Sequence, residues 1–360
     1  MKKIALSLIA LVCAISCFAQ NCTINGRINV PAFQNKKVSL IDGTNGKEIA
    51  STTIQDSTFS FSVTTTDPYL GRIKTASVPG SNYYYLDVIV EPGTITCDLV
   101  TDDLAGTPTN EKQYKFHKEI QNEIAYWYKL ANKYYDKANM SEQEFKQLAD
   151  ETEAQTQKIS DIAKQAFIEN NDNLVALTAF EYIDQMNRIE YKELAQLVSK
   201  AAPAVQKHPI VANTMEQLER LDQTAAGKPY IDLDLKDFKT GKAVKLSKHI
   251  NGKIALIDFW ASWCKPCREE IPNIAKIYEK YGKDIVVISL NVWDQPQAQS
   301  KAIKDMKMNW LQLTDNTKNA TTAYGINGIP HIMLIGKDGT ILARDLRGED
   351  IEKAVLEALK

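Results

Sequence analysis

Residues 253 to 281 constrain the fold of this 360-residue chain more than any other stretch. Lys253-Ile254-Ala255-Leu256-Ile257-Asp258-Phe259-Trp260 is an apolar run of β-branched and aromatic residues, long enough for one buried strand and too short for a typical helix. Beyond it, Pro266 sits where the first turn of a helix tolerates proline, and Ile271, Ile274, Ile277, Tyr278 and Tyr281 recur at helical spacing. The pair Cys264-Lys265-Pro266-Cys267 therefore falls at a strand-to-helix junction, where free N–H groups and the positive end of the helix dipole stabilise a thiolate. Two intervening residues let the sulfurs close a small disulfide ring, with the first sulfur exposed and the second turned inward. Cys264 then attacks a substrate disulfide, Cys267 resolves the mixed disulfide, and the charge of Lys265 lowers the Cys264 pKa.

A lone C-x-x-C also serves as half of a zinc site, which needs two further ligands at short spacing. His249 and His331 are isolated and no second cysteine pair exists, so the redox reading is favoured and neither metal nor cofactor is expected. Asp258 is the polar exception in the apolar run. A buried carboxylate there has a raised pKa suited to moving the proton of Cys267, whereas an aspartate at a strand end facing water has no such role.

The motifs D-F-W-A-S-W-C-K-P-C (258 to 267), R-E-E-I-P (268 to 272), Y-G-I-N-G-I-P (324 to 330) and the K-D-G turn (337 to 339) resemble the TlpA/ResA-like branch of extracytoplasmic thiol:disulfide oxidoreductases, over about residues 227 to 360. The resemblance implies an α/β thioredoxin fold with Asp258 behind the dithiol. Glu270 matches the acid of the C-x-x-C-x-x-E pattern associated with the active-site cavity; its plain alternative is a first-turn glutamate favouring the helix dipole. Pro330 matches the cis-proline that faces the dithiol and leaves the backbone of Ile329 free to pair with an extended substrate. Trp263 and His331 complete the expected substrate-binding set. His331 departs from the usual threonine; it either tunes the thiolate from nearby or is a core histidine. Lys265 and Pro266 between the cysteines look closer to reducing thioredoxins than to strong oxidants.

Residues 1–19 read as a secretory signal: Lys2 and Lys3, an apolar core from Ile4 to Ile15, then small residues, too short to span a bilayer permanently. Cleavage after Ala19 is favoured; lipidation at Cys17 is the alternative and would tether the chain to a membrane. Export places the protein in the periplasm and leaves Cys22, Cys97, Cys264 and Cys267. In an oxidising compartment Cys22 and Cys97 form either a structural disulfide, which requires a Cα separation below about 7 Å, or two buried thiols. The net charge of −2 and the absence of a basic stripe give no sign of a nucleic-acid partner.

This length exceeds what one core usually serves. Residues 20–106 show short alternating segments punctuated by Asp42-Gly43, Asn45-Gly46 and Pro92-Gly93, a small antiparallel β domain. Its I-N-G-R-I, K-V-S-L, D-S-T-F-S-F and V-E-P-G segments resemble an all-β domain of unknown function that precedes TlpA-like modules. Within it, Tyr83-Tyr84-Tyr85 is either a partner-binding patch or, as favoured, an alternating strand with one or two rings in the core. Residues 107–225 change to helical period through Phe116, Ile120, Ile124, Trp127, Leu130 and Tyr134; Ser141 with Glu144 makes a capping box. The aromatics Trp127, Tyr128, Tyr134 and Tyr135 are expected in the core. Residues 226–360 form the thioredoxin-like domain.

The expected function is an exported disulfide reductase that draws electrons from a membrane thiol donor and passes them to oxidised protein thiols. A peroxide reductase of the peroxiredoxin branch would want a Pro-x-x-x-Thr-x-x-Cys setting, and 258 to 264 offers no such threonine. A third reading makes the β and helical domains a partner-binding device to which the redox module responds.

Overall fold

The computed structural model describes residues 19–315 and 317–360; the signal-peptide and Cys17 lipidation readings lie outside these residues but for Ala19. Among the described residues no helix is long and apolar enough to cross a membrane. The chain forms two compact units, residues up to 212 and residues 213–360.

The first unit begins with two four-stranded sheets. One contains β1 (Gln20–Arg27), β4 (Thr58–Thr65), β7 (Gly93–Asp98) and β8 (Asp103–Ala105) in the order β4-β1-β7-β8. The other contains β2 (Lys37–Asp42), β3 (Glu48–Thr53), β5 (Tyr69–Thr75) and β6 (Tyr85–Val90) in the order β3-β2-β5-β6. Ile24, Val38, Phe59, Phe61, Ile73 and Val88 share one buried cluster that draws on both sheets. Pairing is antiparallel except between β1 and β7, which run parallel. The sequence pattern misses β5 because Gly71 interrupts it; a Cβ there would stand 2.8 Å from Val90 Cγ2, so the glycine marks close packing rather than a turn.

The parallel β1–β7 register decides the fate of two cysteines. Cys22 lies opposite Gly93 and Cys97 opposite Gly26, four residues further along β1, a separation of about 13 Å. That distance rules out the disulfide; both are buried free thiols, with Cys97 pushed by burial up to about 12.

Helix α1 (Pro108–Lys133) grips the edge of β6: the Asn110 side chain accepts from the Ile89 N–H at 2.9 Å and donates to the Ile89 carbonyl at 2.8 Å. It packs with α2 (Glu142–Glu169), opened by the expected Ser141–Glu144 capping box, and with α3 (Val175–Met186). Two shorter helices, α4 (Tyr191–Ser199) and α5 (Pro203–Gln206), follow, and the division between units falls within α6 (Pro209–Gln223). Two aromatic expectations change here. Tyr128 and Tyr135 are exposed rather than core residues. Adjacent positions on a helix diverge by about 100°, so Trp127 and Tyr128 cannot both face inward, and Tyr134–Asn139 is a 3₁₀ segment outside α1. Of the three tyrosines 83 to 85, only Tyr84 packs against the core, edge-on to Phe33.

The second unit is a seven-stranded sheet with helices on both faces, the thioredoxin fold. It adds β9 (Asp234–Asp237), β10 (Ala243–Lys245), β11 (Ile254–Trp260), β12 (Ile285–Val292), β13 (Leu311–Asp315), β14 (His331–Ile335) and β15 (Ile341–Ala343), in the order β10-β9-β13-β12-β11-β14-β15. Strands β11, β12 and β13 are parallel and β14 is antiparallel to β11. Every residue of β11 is buried, as its continuous apolar pattern demands. Alternate β11 residues divide between two cores. Ile254, Leu256 and Trp260 pack with α8 (Lys265–Tyr281) and α11 (Glu349–Ala358), while Ala255, Ile257 and Phe259 face α7 (Ser247–Ile250) and α10 (Asn319–Ala323). The remaining helix is α9 (Pro296–Asp305), and β13 is unexpected from sequence because it buries polar residues. Its Thr314 accepts from Gln299 Nε2 at 2.9 Å, which makes that burial tolerable.

Candidate active site

Cys264 is the N-cap of α8, in extended backbone conformation, and its sulfur accepts the Cys267 N–H at 3.2 Å. The two sulfurs are joined as a disulfide, with their Cα atoms 5.3 Å apart. Opposite them the Ile329–Pro330 peptide is cis, and the Ile329 carbonyl oxygen lies 3.7 Å from Cys264 Sγ. One expectation fails in this oxidised state: Cys264 is only 3% exposed, hardly more than Cys267, because the Ile329 backbone covers its sulfur. Trp263 beside it stays exposed, with its indole N–H donating to the Trp293 carbonyl at 2.9 Å.

Asp258 is buried on the face of β11 that also carries Trp260, the face packed by α8. The register sets its partner, since Ser289 of β12 lies directly opposite and donates to Asp258 Oδ2 at 3.0 Å. Ser289 in turn accepts from the Trp310 indole at 2.9 Å, and Asp258 Oδ1 has no hydrogen-bond partner among the described residues. Burial pushes the Asp258 carboxyl up to about 7; the nearby Glu270 charge adds to this, while the Ser289 hydrogen bond and Arg347 oppose it. The disulfide and a buried carboxyl of raised pKa thus share the sheet face that α8 covers. Among the described residues no cluster of His, Cys, Asp or Glu could hold a metal ion.

Residues 198–359 match the Redoxin family. Over 121 residues the chain is 31% identical to the thiol-disulfide oxidoreductase ResA of Bacillus thuringiensis subsp. konkukian, covering 33% of this chain and 69% of that protein. The chain belongs to the thiol-disulfide oxidoreductase family. It is also 30% identical over 149 residues to the thiol:disulfide interchange protein HelX of Rhodobacter capsulatus, covering 41% of this chain and 67% of the relative. Among solved structures it resembles the thioredoxin domain of a thiol-disulfide oxidoreductase from Bacteroides vulgatus, at 31% identity, 38% and 99% coverage and a TM-score of 0.36. Residues 22–113 match a domain of unknown function, DUF4369.

Several sequence-nominated residues of this oxidoreductase stand elsewhere than expected. His331 pairs with Phe259 across β11 and β14, so its ring lies on the opposite face of the sheet from the dithiol, edge-on to the Phe259 ring. It accepts from Arg344 Nε at 3.3 Å, and burial, reinforced by the Arg344 charge, lowers its pKa to about 4. The expected nearness to Cys264 is therefore corrected: the period of two along β14 turns this side chain away. The Lys265 ammonium points into solvent, 3.9 Å from Glu269. Pro266 occupies the first turn of α8, as expected. Glu270 accepts the Gly348 N–H at 3.1 Å and an Asn273 amide hydrogen at 2.9 Å, pinning the start of α11 to α8.

Two residues escaped the sequence reading. Arg347 donates to the Pro330 carbonyl, to the Leu346 carbonyl at 2.8 Å and to Asp345 at 2.8 Å, so it holds the proline loop from below. Asp294 accepts the Ser262 N–H at 2.6 Å and its hydroxyl at 2.9 Å, fastening the loop that leads to Cys264. Neither belongs to a local motif; Arg347 acts on a residue 17 positions away and Asp294 on one 32 positions away. The nearest signal for Asp294 was its place just past the end of a buried strand, where α/β sheets keep their sites.

Proposed function

We propose that this chain is an exported disulfide reductase that acts on oxidised protein thiols through the Cys264/Cys267 couple. The observation that carries this reading is the N-cap position of Cys264, against the Ile329–Pro330 backbone, with Asp258 buried on the sheet face that α8 covers. In the reduced enzyme the Cys264 thiolate attacks one sulfur of a substrate disulfide; the substrate S–S bond breaks, a mixed disulfide forms, and the departing substrate thiolate takes up a proton. Asp258 accepts the proton of Cys267, whose thiolate attacks Cys264 Sγ, so that the mixed disulfide breaks and the second substrate thiol leaves. Two electrons have then passed to the substrate, and the Cys264–Cys267 disulfide is reduced again by an external dithiol, the role proposed for a membrane thiol donor. The Ile329 backbone pairs with the extended substrate strand, Trp263 supplies an apolar contact, Arg347 holds the loop that presents it, and Glu270 anchors the neighbouring Gly348. The secretory-signal pattern of residues 1–19 supports export to the periplasm.

The test is the reduction potential of the couple in glutathione buffers, with insulin reduction and peroxide consumption by the wild type and the Cys264→Ala and Cys267→Ser variants. A potential near −270 mV, on the order of thioredoxin's, supports a reductase, and one near about −120 mV identifies an oxidant. Cys267→Ser should trap mixed disulfides with clients. Peroxide turnover without insulin reduction would replace this reading with a peroxidase.

A further inference from the structure

The first unit holds a solvent-open cavity of about 710 Å³ between the β5–β6 edge and helices α1 and α3. Its wall on α1 carries a polar row beside the apolar Ile124 and Trp127: Gln113, His117 and Gln121 follow at a spacing of four and all line the space. Gln113 is 2% exposed, and while its amide N–H donates to Thr178 at 3.0 Å, its carbonyl oxygen has no partner among the described residues. A buried acceptor left open is costly, and a ligand donor would recover that cost.

We propose that this cavity binds an organic cation, an alkylammonium or guanidinium group carried either by a free polyamine or by a basic side chain of a peptide.

Charge and aromaticity select that class. The lining holds three carboxylates, Asp87, Asp102 and Glu181, against a single permanent cation, Arg72. Arg72 is already committed, donating to both oxygens of Asp87 at 2.6 and 2.8 Å. Two carboxylates therefore remain. His117 Nε2 stands 3.6 Å from Asp102, beyond hydrogen-bond reach, and makes no hydrogen bond. Glu181 is held above the usual carboxylate range, by burial first and by the Asp87 charge second, with the Arg72 charge opposing, and it makes no ion pair within 4 Å among the described residues. Trp127, Tyr128 and Tyr182 also line the space, and aromatic walls with carboxylates favour organic cations over anions or plain hydroxyl compounds. The protein uses the same chemistry on itself, since the Arg72 guanidinium lies 5.1 Å from the Tyr85 ring centre.

The experiment is calorimetric titration of the full chain with spermidine and, separately, with an arginine-containing tripeptide amide, against glucose and inorganic phosphate. Saturable binding of either cation, weakened by salt, is expected. Spermidine alone identifies a free polyamine, and preference for the tripeptide a peptide source. Glu181→Gln and Asp102→Asn should each weaken binding about tenfold, with insulin reduction unchanged. Asp102 has a positive φ of 57°, which asparagine also tolerates, so that variant keeps the test valid should Glu181→Gln fail to fold. Absence of saturable heat with both cations, binding of glucose or phosphate instead, or full affinity in both folded variants would overturn the proposal.

Discussion

Replacing Asp258 by asparagine separates a carboxyl that moves protons from one that is merely buried. Burial first, and Glu270 second, push the folded carboxyl up to about 7 from a starting value of 3.8. In the window from about pH 4 to about pH 7 the folded protein thus keeps a proton that the unfolded chain has released. Stability falls as pH rises through that window, by about 1.4 kcal/mol for each unit, and the accumulated cost above it is about 4 kcal/mol. Below the unfolded value the cost vanishes. Asparagine still accepts from Ser289 but carries no charge, so the variant should exceed the wild type by up to about 4 kcal/mol at about pH 8 and match it at about pH 4. Activity should move the other way. Without a proton acceptor, the release of Cys267 slows on the order of 10²-fold, and the rate loses its inflection near neutrality. Urea unfolding of the oxidised chain can be followed by tryptophan fluorescence, because four of the five tryptophans lie in residues 213–360. Insulin turnover is measured in parallel. A stability difference equal at both pH values, or turnover indistinguishable from wild type throughout, would refute the assignment.

Arg347→Gln removes the guanidinium from the Pro330 carbonyl and should lower kcat/KM for insulin about tenfold while far-ultraviolet circular dichroism stays unchanged. Asp294→Ala deletes both hydrogen bonds to Ser262 and should cost about 1–3 kcal/mol, read as an earlier urea midpoint of the tryptophan transition. In the first unit, Gly26→Ala would bring a Cβ within 1.9 Å of the Phe59 ring, and a loss exceeding about 2 kcal/mol in the circular-dichroism transition is expected. Cys22 and Cys97 should stay unmodified by iodoacetamide in the native chain begun at Gln20, and both should alkylate in denaturant without reductant; a disulfide-linked peptide in the mass spectrum would contradict their register.

The local chemistry of this protein was legible in its sequence. The apolar run 253–260 could only be a buried strand, Pro266 could only stand in the first turn of a helix, and the two cysteines were thereby placed at a helix start. These inferences rest on interactions within a few residues, which spacing and side-chain type largely dictate. The same holds for the Ser141–Glu144 box, for the hairpin at Lys337-Asp338-Gly339, and for the change of period that separates strands from helices.

Strand β13, whose polar residues find partners only in the assembled sheet, was not legible, and neither was β5 with its interior glycine. The fates of Cys22 and Cys97 depended on the register of a parallel pair, and that of His331 on which face of β14 it occupies. Arg347 and Asp294 reach the site only because separate loops converge there. The sequence alone determined the buried strand before Cys264, the helix after it and the pairing of Cys264 with Cys267, since those depend on near neighbours. Tertiary structure alone decided which distant groups cover, hold and charge the site, because pairing register and loop convergence link residues that local pattern leaves independent.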